Sequence, residues 1–257
     1  MIFRRFLIIS VLLCAAPGAL AAPKPKSKAP TQDEAFLTAH DAFRAGDAIK
    51  LQKLTPSFGG YLLAPYLDYW RLKLSLQDSA GSEVNAFLQQ QQGSYLAQRL
   101  RIDWLKELGR RGDWQGFEQA LPLLLHDDLE IRCYAWLSRL TRGDESANDE
   151  ARSVWFEPRE LPEGCGALVD KLVDARLISV DDVWKRARLL LQNGLLNPAR
   201  KALAYLPAAE KYDESLFNRA TTAPRKLLAN PPRNLERRAT REMMVFAVLR
   251  LARGGDP

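Results

Sequence analysis

Apolar residues recur at helical spacing from about residue 33 to the end of the chain. Within residues 94–117, Leu96, Leu100, Trp104 and Leu108 follow one another at i+4, and Ala97 and Leu105 widen the stripe. This is the buried face of an amphipathic helix. Gly112 supplies a left-handed stop, and Asp113 stands where an N-cap would open the next helix at Trp114. The same reading predicts helices over roughly 33–45, 47–54, 62–77, 82–91, 95–110, 113–121, 127–141, 147–155, 165–175, 180–192, 195–205, 212–219 and 234–253. In the 62–77 helix, Leu63, Leu67, Trp70 and Leu74 share one stripe, while Tyr66, Tyr69 and Leu76 lie on others, so it is expected to sit between layers. No alternating run is long enough to predict a strand.

The chain therefore reads as all-α. Turn signals at Gly46-Asp47, Gly112-Asp113, Gly143-Asp144 and Asn193-Gly194 separate short helices. Their irregular spacing argues against a strict tetratricopeptide array. A short amphipathic pair cannot bury its apolar face alone, so stacking of pairs into a curved solenoid is the expected architecture over residues 33–257. Residues 225–233, with Pro231-Pro232, interrupt the pattern before Asn234 restarts a helix. The chain stops directly after that helix, with no polar capping repeat, so its C-terminal end is expected either to rely on partners or to be truncated, with truncation favoured.

The first residues change the picture of compartment. Arg4 and Arg5 precede an apolar run from Phe6 to Ala16, and Ala19-Leu20-Ala21 has small residues where a signal peptidase reads. Residues 1–21 are thus a predicted secretory signal, with the mature chain starting at Ala22. A lipoprotein reading at Cys14 is disfavoured because Leu13 is not the small residue such processing prefers. Residues 22–32, rich in Pro and Lys, are expected to be a flexible linker. Loss of residues 1–21 removes two arginines and no acids, lowering the formal charge from +6 to +4. In an exported protein this favours an anionic envelope polymer or a membrane surface over nucleic acid as partner. No later apolar run is long enough for a membrane span, so stable insertion after signal cleavage is not expected. Cys133 and Cys165 remain, read either as one disulfide in an oxidising compartment or as two small buried thiols, with the disulfide favoured.

The 94–117 stretch, S-Y-L-A-Q-R-L-R-I-D-W-L-K-E-L-G-R-R-G-D-W-Q-G-F, resembles the N-terminal superhelical part of the soluble lytic murein transglycosylases, periplasmic enzymes that cut peptidoglycan glycan strands. Family-like text also occurs as P-Y-L-D-Y-W-R-L (65–72), V-N-A-F-L (84–88), I-R-C-Y-A (131–135), L-P-E-G-C (161–165), V-W-K-R-A-R-L-L-L (183–191) and N-P-A-R-K-A-L (197–203). These blocks cover most of the chain after residue 33, in order. The resemblance implies a right-handed, U-shaped α-superhelix in the periplasm, forming much of a ring that guides glycan toward a C-terminal, lysozyme-like catalytic domain that this chain is not expected to reach. Peptidoglycan glycan strands are the implied partner, with cell-wall synthesis or division proteins as further partners.

In the family a single glutamate, in an E-S pair followed by a G-x-x-G-L-M-Q segment, cleaves the bond between N-acetylmuramic acid and N-acetylglucosamine with formation of a 1,6-anhydro ring. Glu145-Ser146 and Glu214-Ser215 are the E-S pairs weighed here, and neither is followed by such a segment. No catalytic residue is expected. His40 and His126 lack a ligand cluster, and no nucleotide-binding glycine motif occurs, so neither metal nor cofactor is expected. Basic clusters remain as candidate binding residues: Arg99 and Arg101, Lys185, Arg186 and Arg188, and Arg237, Arg238 and Arg241. Arg110 and Arg111 form a further cluster. Each reads either as a solvated outer face or as part of a concave surface for an anionic glycan. Two functions follow, a glycan-guiding scaffold of a lytic transglycosylase or a stand-alone periplasmic helical-repeat adaptor for a protein partner.

Overall fold

The computed structural model describes residues 30–79, 81–126 and 128–254. The expected signal segment, Cys14, most of the 22–32 linker and the last three residues lie outside them. Among the described residues every regular element is helical. Helices α1 (Gln32–Arg44) and α2 (Ala48–Leu54), α3 (Ala64–Leu74) and α4 (Ser82–Gln90), α5 (Tyr95–Arg111) and α6 (Trp114–Ala120), and α7 (Leu129–Thr141) and α8 (Asn148–Ser153) form successive hairpins. Helix α9 (Gly166–Asp174) packs on α7 and α8. Then come α10 (Val180–Gln192) with α11 (Leu196–Leu203), α12 (Glu214–Thr222) with α13 (Pro224–Ala229), and α14 (Arg238–Arg253), which lies against α10, α12 and α13. Leading helices touch in order, α1 on α3, α3 on α5, α5 on α7 and α7 on α9. That is the stacking of an α-superhelix.

One turn recurs throughout. At the end of α5, Gly112 (φ 70°) donates its N–H to the Gly109 carbonyl at 3.1 Å, and Asp113 donates to Leu108 at 3.0 Å. This Schellman arrangement satisfies carbonyls that the helix end leaves open. Asp113 then accepts from the Gly116 N–H at 3.0 Å, opening α6. The same pair of bonds ends α1, α7 and α10 at Gly46, Gly143 and Gly194. It also ends α9 at Arg176, the one described non-glycine residue with positive φ (59°).

Two apolar cores meet on α7. Ile131 and Tyr134 belong to the core built by α1–α6, whereas Leu129, Cys133 and Leu137 belong to the core that runs through α14. The structure joins Cys133 to Cys165, with Cα atoms 5.0 Å apart, tying α7 to the segment that leads into α9. Helix α3 is buried on more than one side, with Leu67, Tyr69, Trp70 and Leu72 all inside, as its pattern predicts.

Two boundaries differ from expectation. The interruption expected over 225–233 overlaps α13, which starts at Pro224 in the first helical turn and buries Leu227 completely. Proline is tolerated there because a first-turn N–H has no intrahelical partner. Helix α14 begins at Arg238 rather than Asn234, because Asn234–Arg237 form a turn in which Arg237 donates to the Asn234 carbonyl.

Candidate functional site

The arginines singled out from sequence divide by what they touch. Arg186 is 4% exposed, and its Nη1 donates to the carbonyls of Trp155 (2.6 Å) and Glu157 (2.9 Å). Its Nη2 donates to Arg159, and the guanidinium lies 5.2 Å from the Trp155 ring centroid. Burial pulls its pKa down to about 10, against a small opposing pull from Glu157, so it stays charged at neutral pH. Arg101 is 7% exposed and donates through Nη1 to the Leu123 carbonyl at 2.7 Å. Both were expected among exposed cations, and both are instead inside the fold. The reason is helical phase: Arg101 follows Ala97 and precedes Leu105 at i±4, and Arg186 lies at i+3 from Val183 and i−4 from Leu190.

The other candidates are mostly engaged by the protein itself. Arg188 lies 2.6 Å from Glu242, and Arg238 pairs with Asp181 while standing 3.7 Å from the same Glu242. These contacts join α10 to α14. Arg241 donates to the carbonyls of Leu235 and Glu236, and Arg237 to that of Lys211, fixing the turn ahead of α14. Arg110 and Arg111 both pair with the nearly buried Glu107. Lys185 is exposed, with its ammonium 4.8 Å from the Phe156 ring centroid. Arg99 is exposed on α5, where a hydrogen bond with the Tyr69 hydroxyl raises its pKa.

A different feature gathers polar groups around open space. Helices α4, α5 and α6, with the segment following α6, enclose a groove of about 580 Å³. Asn85 and Gln89 lie one turn apart on α4, Gln92 follows just beyond its end, and Gln119 lines the groove from α6. Leu88, Leu123 and Leu125 supply apolar wall, and Arg101 lines the interior. Gln98 also lines the groove, where its Oε1 accepts from the Leu125 N–H at 3.2 Å. Neutral amides leave no charge pattern in the sequence. The signal was present in the Gln89-Gln90-Gln91-Gln92 run directly ahead of α5.

The two E-S glutamates do not have the chemistry of a general acid. Burial pushes the Glu214 carboxyl up, but hydrogen bonds from Tyr212 (2.7 Å) and Arg200 (2.8 Å) outweigh it and hold the pKa below its ordinary value. A carboxylate so held carries no proton to donate at neutral pH. Glu145 is exposed in the short 3₁₀ turn that precedes α8. His40 packs beside Trp70 and His126 is exposed in a separate loop. Among the described residues no group of three His, Cys, Asp or Glu side chains is arranged to hold a metal. No described helix is long and apolar enough to cross a membrane.

No family model matches the chain. The soluble lytic murein transglycosylase of Salmonella typhimurium is 25% identical to it over 122 residues, which are 46% of this chain and 18% of that protein. The Escherichia coli K12 enzyme of the same name matches with the same identity and coverage. Among solved structures, the lytic transglycosylase Slt of Pseudomonas aeruginosa is similar with a TM-score of 0.58 and 22% identity, over 86% of this chain and 36% of that one. The 70 kDa soluble lytic transglycosylase of Escherichia coli gives a TM-score of 0.60 and 21% identity, over 87% of this chain and 36% of that one. The match thus spans less than a fifth of the curated relatives' length, and at these identities the structural likeness establishes the fold. The chain is thus similar to part of the soluble lytic murein transglycosylases, in sequence over 122 residues and in fold over most of its length.

Proposed function

We propose that this superhelix is a non-catalytic scaffold that binds peptidoglycan glycan strands in the periplasm and guides them, as part of a lytic transglycosylase whose cleaving acid lies outside the described residues. The observation that carries the reading is that sequence and fold, compared separately, lead to the same enzymes. The Cys133–Cys165 bond supports an exported location, since such bonds persist in oxidising compartments.

Sedimentation with purified murein sacculi tests the reading. The chain is expected to pellet with sacculi at low salt and to release no 1,6-anhydromuropeptides. Pelleting should weaken as salt rises, because exposed charges are screened over roughly 8 Å at physiological ionic strength. Protein left in the supernatant at low salt would contradict the scaffold and favour an adaptor for a protein partner, a role for which exposed Leu62 (88%) and Ile49 (69%) offer apolar contacts. Product release abolished by Glu145→Gln or Glu214→Gln would contradict the non-catalytic assignment.

A further inference from the structure

Arg101 is a buried cation with no anion beside it among the described residues. No carboxylate among the described residues stands within ion-pair distance of it, and its Nε has no hydrogen-bond partner. Burial alone shifts its pKa, downward, so Asp113, which lines the same groove, does not compensate it. Asp113 is engaged in capping α6. An uncompensated buried charge is costly, and the ordinary remedy is a partner that brings the opposite charge. Around this guanidinium the groove offers neutral polar groups: the carboxamides of Asn85, Gln89, Gln92 and Gln119 are exposed and make no hydrogen bond among the described residues. Each presents two donors and one acceptor.

We propose that the α4–α5–α6 groove is a binding site for a glycan segment that carries acetamido groups and one carboxylate. The carboxylate would sit toward Arg101, the amides would exchange hydrogen bonds with hydroxyl and acetamido groups, and Leu88, Leu123 and Leu125 would face the acetamido methyls. A phosphate-rich polymer fits poorly, because the lining holds a single cation and many neutral amides, whereas polyanion sites are built from clustered Lys and Arg. The proposal rests on the scaffold reading and gives it a location. In peptidoglycan the carboxylate could come from the lactyl ether of a peptide-free strand or from a stem peptide.

The test titrates the isotopically labelled chain by NMR with three probes: peptide-free glycan strands from amidase digestion, peptide-bearing strands, and chitotetraose as the uncharged control. At least one charged strand should bind about tenfold more tightly than chitotetraose, the scale of one charge-assisted hydrogen bond. Which strand binds identifies the source of the carboxylate. Gln89→Ala/Gln92→Ala removes two exposed amides that support nothing in the fold, and should weaken strand binding about tenfold while leaving the unliganded spectrum native. Arg101→Met should abolish the preference for charged strands, and the rim variant decides the matter if Arg101→Met fails to fold. Unchanged affinity in the rim variant, or equal affinity for chitotetraose, overturns the groove. If the rim variant binds normally yet the chain still pellets with sacculi, the scaffold stands and the groove falls. If the unaltered chain neither pellets nor binds strands, both fall.

Discussion

Gly109→Ala should destabilise this fold although it replaces a helical glycine with the best helix former. A Cβ at Gly109 would stand 2.3 Å from Cγ of Tyr134 and 2.6 Å from both Cδ atoms. The ring cannot retreat, because Gly164 lies against its far end, where a Cβ would be 2.6 Å from the hydroxyl oxygen. Tyr134 belongs to the helix on which the two cores meet, so displacing it disturbs both sides. Overpacking costs about 1–3 kcal/mol, and the double obstruction points to the upper end. Helix propensity returns about 1 kcal/mol, leaving a net loss of about 1–2 kcal/mol. For a domain of this size that lowers Tm by about 2–8 °C. Urea unfolding followed by circular dichroism measures it directly, with an unchanged slope expected. Gly166→Ala is the contrast: the site is the first residue of α9, a Cβ meets nothing within 4 Å, and the change should be neutral or stabilise by about 0.4–1 kcal/mol. Equal stability of Gly109→Ala and the unaltered protein, or an equal loss from both variants, would refute the packing argument.

Three other outcomes are expected. Replacing Cys133 and Cys165 together with Ala should cost about 3.5–4 kcal/mol in equilibrium unfolding, from loop closure over a separation of 32 residues, and a reductant should have no further effect on that variant. Arg186→Met should cost about 3 kcal/mol by the same assay, because three backbone carbonyls lose their donor, and a loss under 1 kcal/mol would show that the guanidinium is dispensable. Asp182 is pushed up by burial, but hydrogen bonds from Ser179 and the two-oxygen contact with Arg152 hold its pKa below 3.8. Its contribution is therefore fully present above the unfolded value and lost as pH falls from about 4 through the lower folded pKa, so Asp182→Asn should flatten the acid limb of the stability–pH curve.

The helices were legible because apolar stripes and caps are local signals. Ser94, Asp113 and Asp128 each cap the helix that follows them, and the predicted segment over 180–192 coincides with α10. Helix α13 was not legible, since six residues with one fully buried side chain carry too little periodicity. The site was harder to read because charge alone, without helical phase, does not separate an interior arginine from a surface one. Arg101 and Arg186 occupy positions that their helices' own stripes mark as interior, while Arg188 and Arg238 meet through Glu242, more than fifty residues away from Arg188 in sequence. The groove depends on three helices meeting and on neutral amides. The meeting of three helices leaves no local signature in the chain, and the Gln89-Gln90-Gln91-Gln92 run that marks the amides carries no charge.

Binding of glycan strands by the superhelix is tested by amide hydrogen exchange of the purified chain with and without charged glycan strands. Slower exchange concentrated in residues 85–93 and 119–125, at the rim of the groove, is expected when strands are bound. Exchange that is the same with and without strands at every position would contradict it.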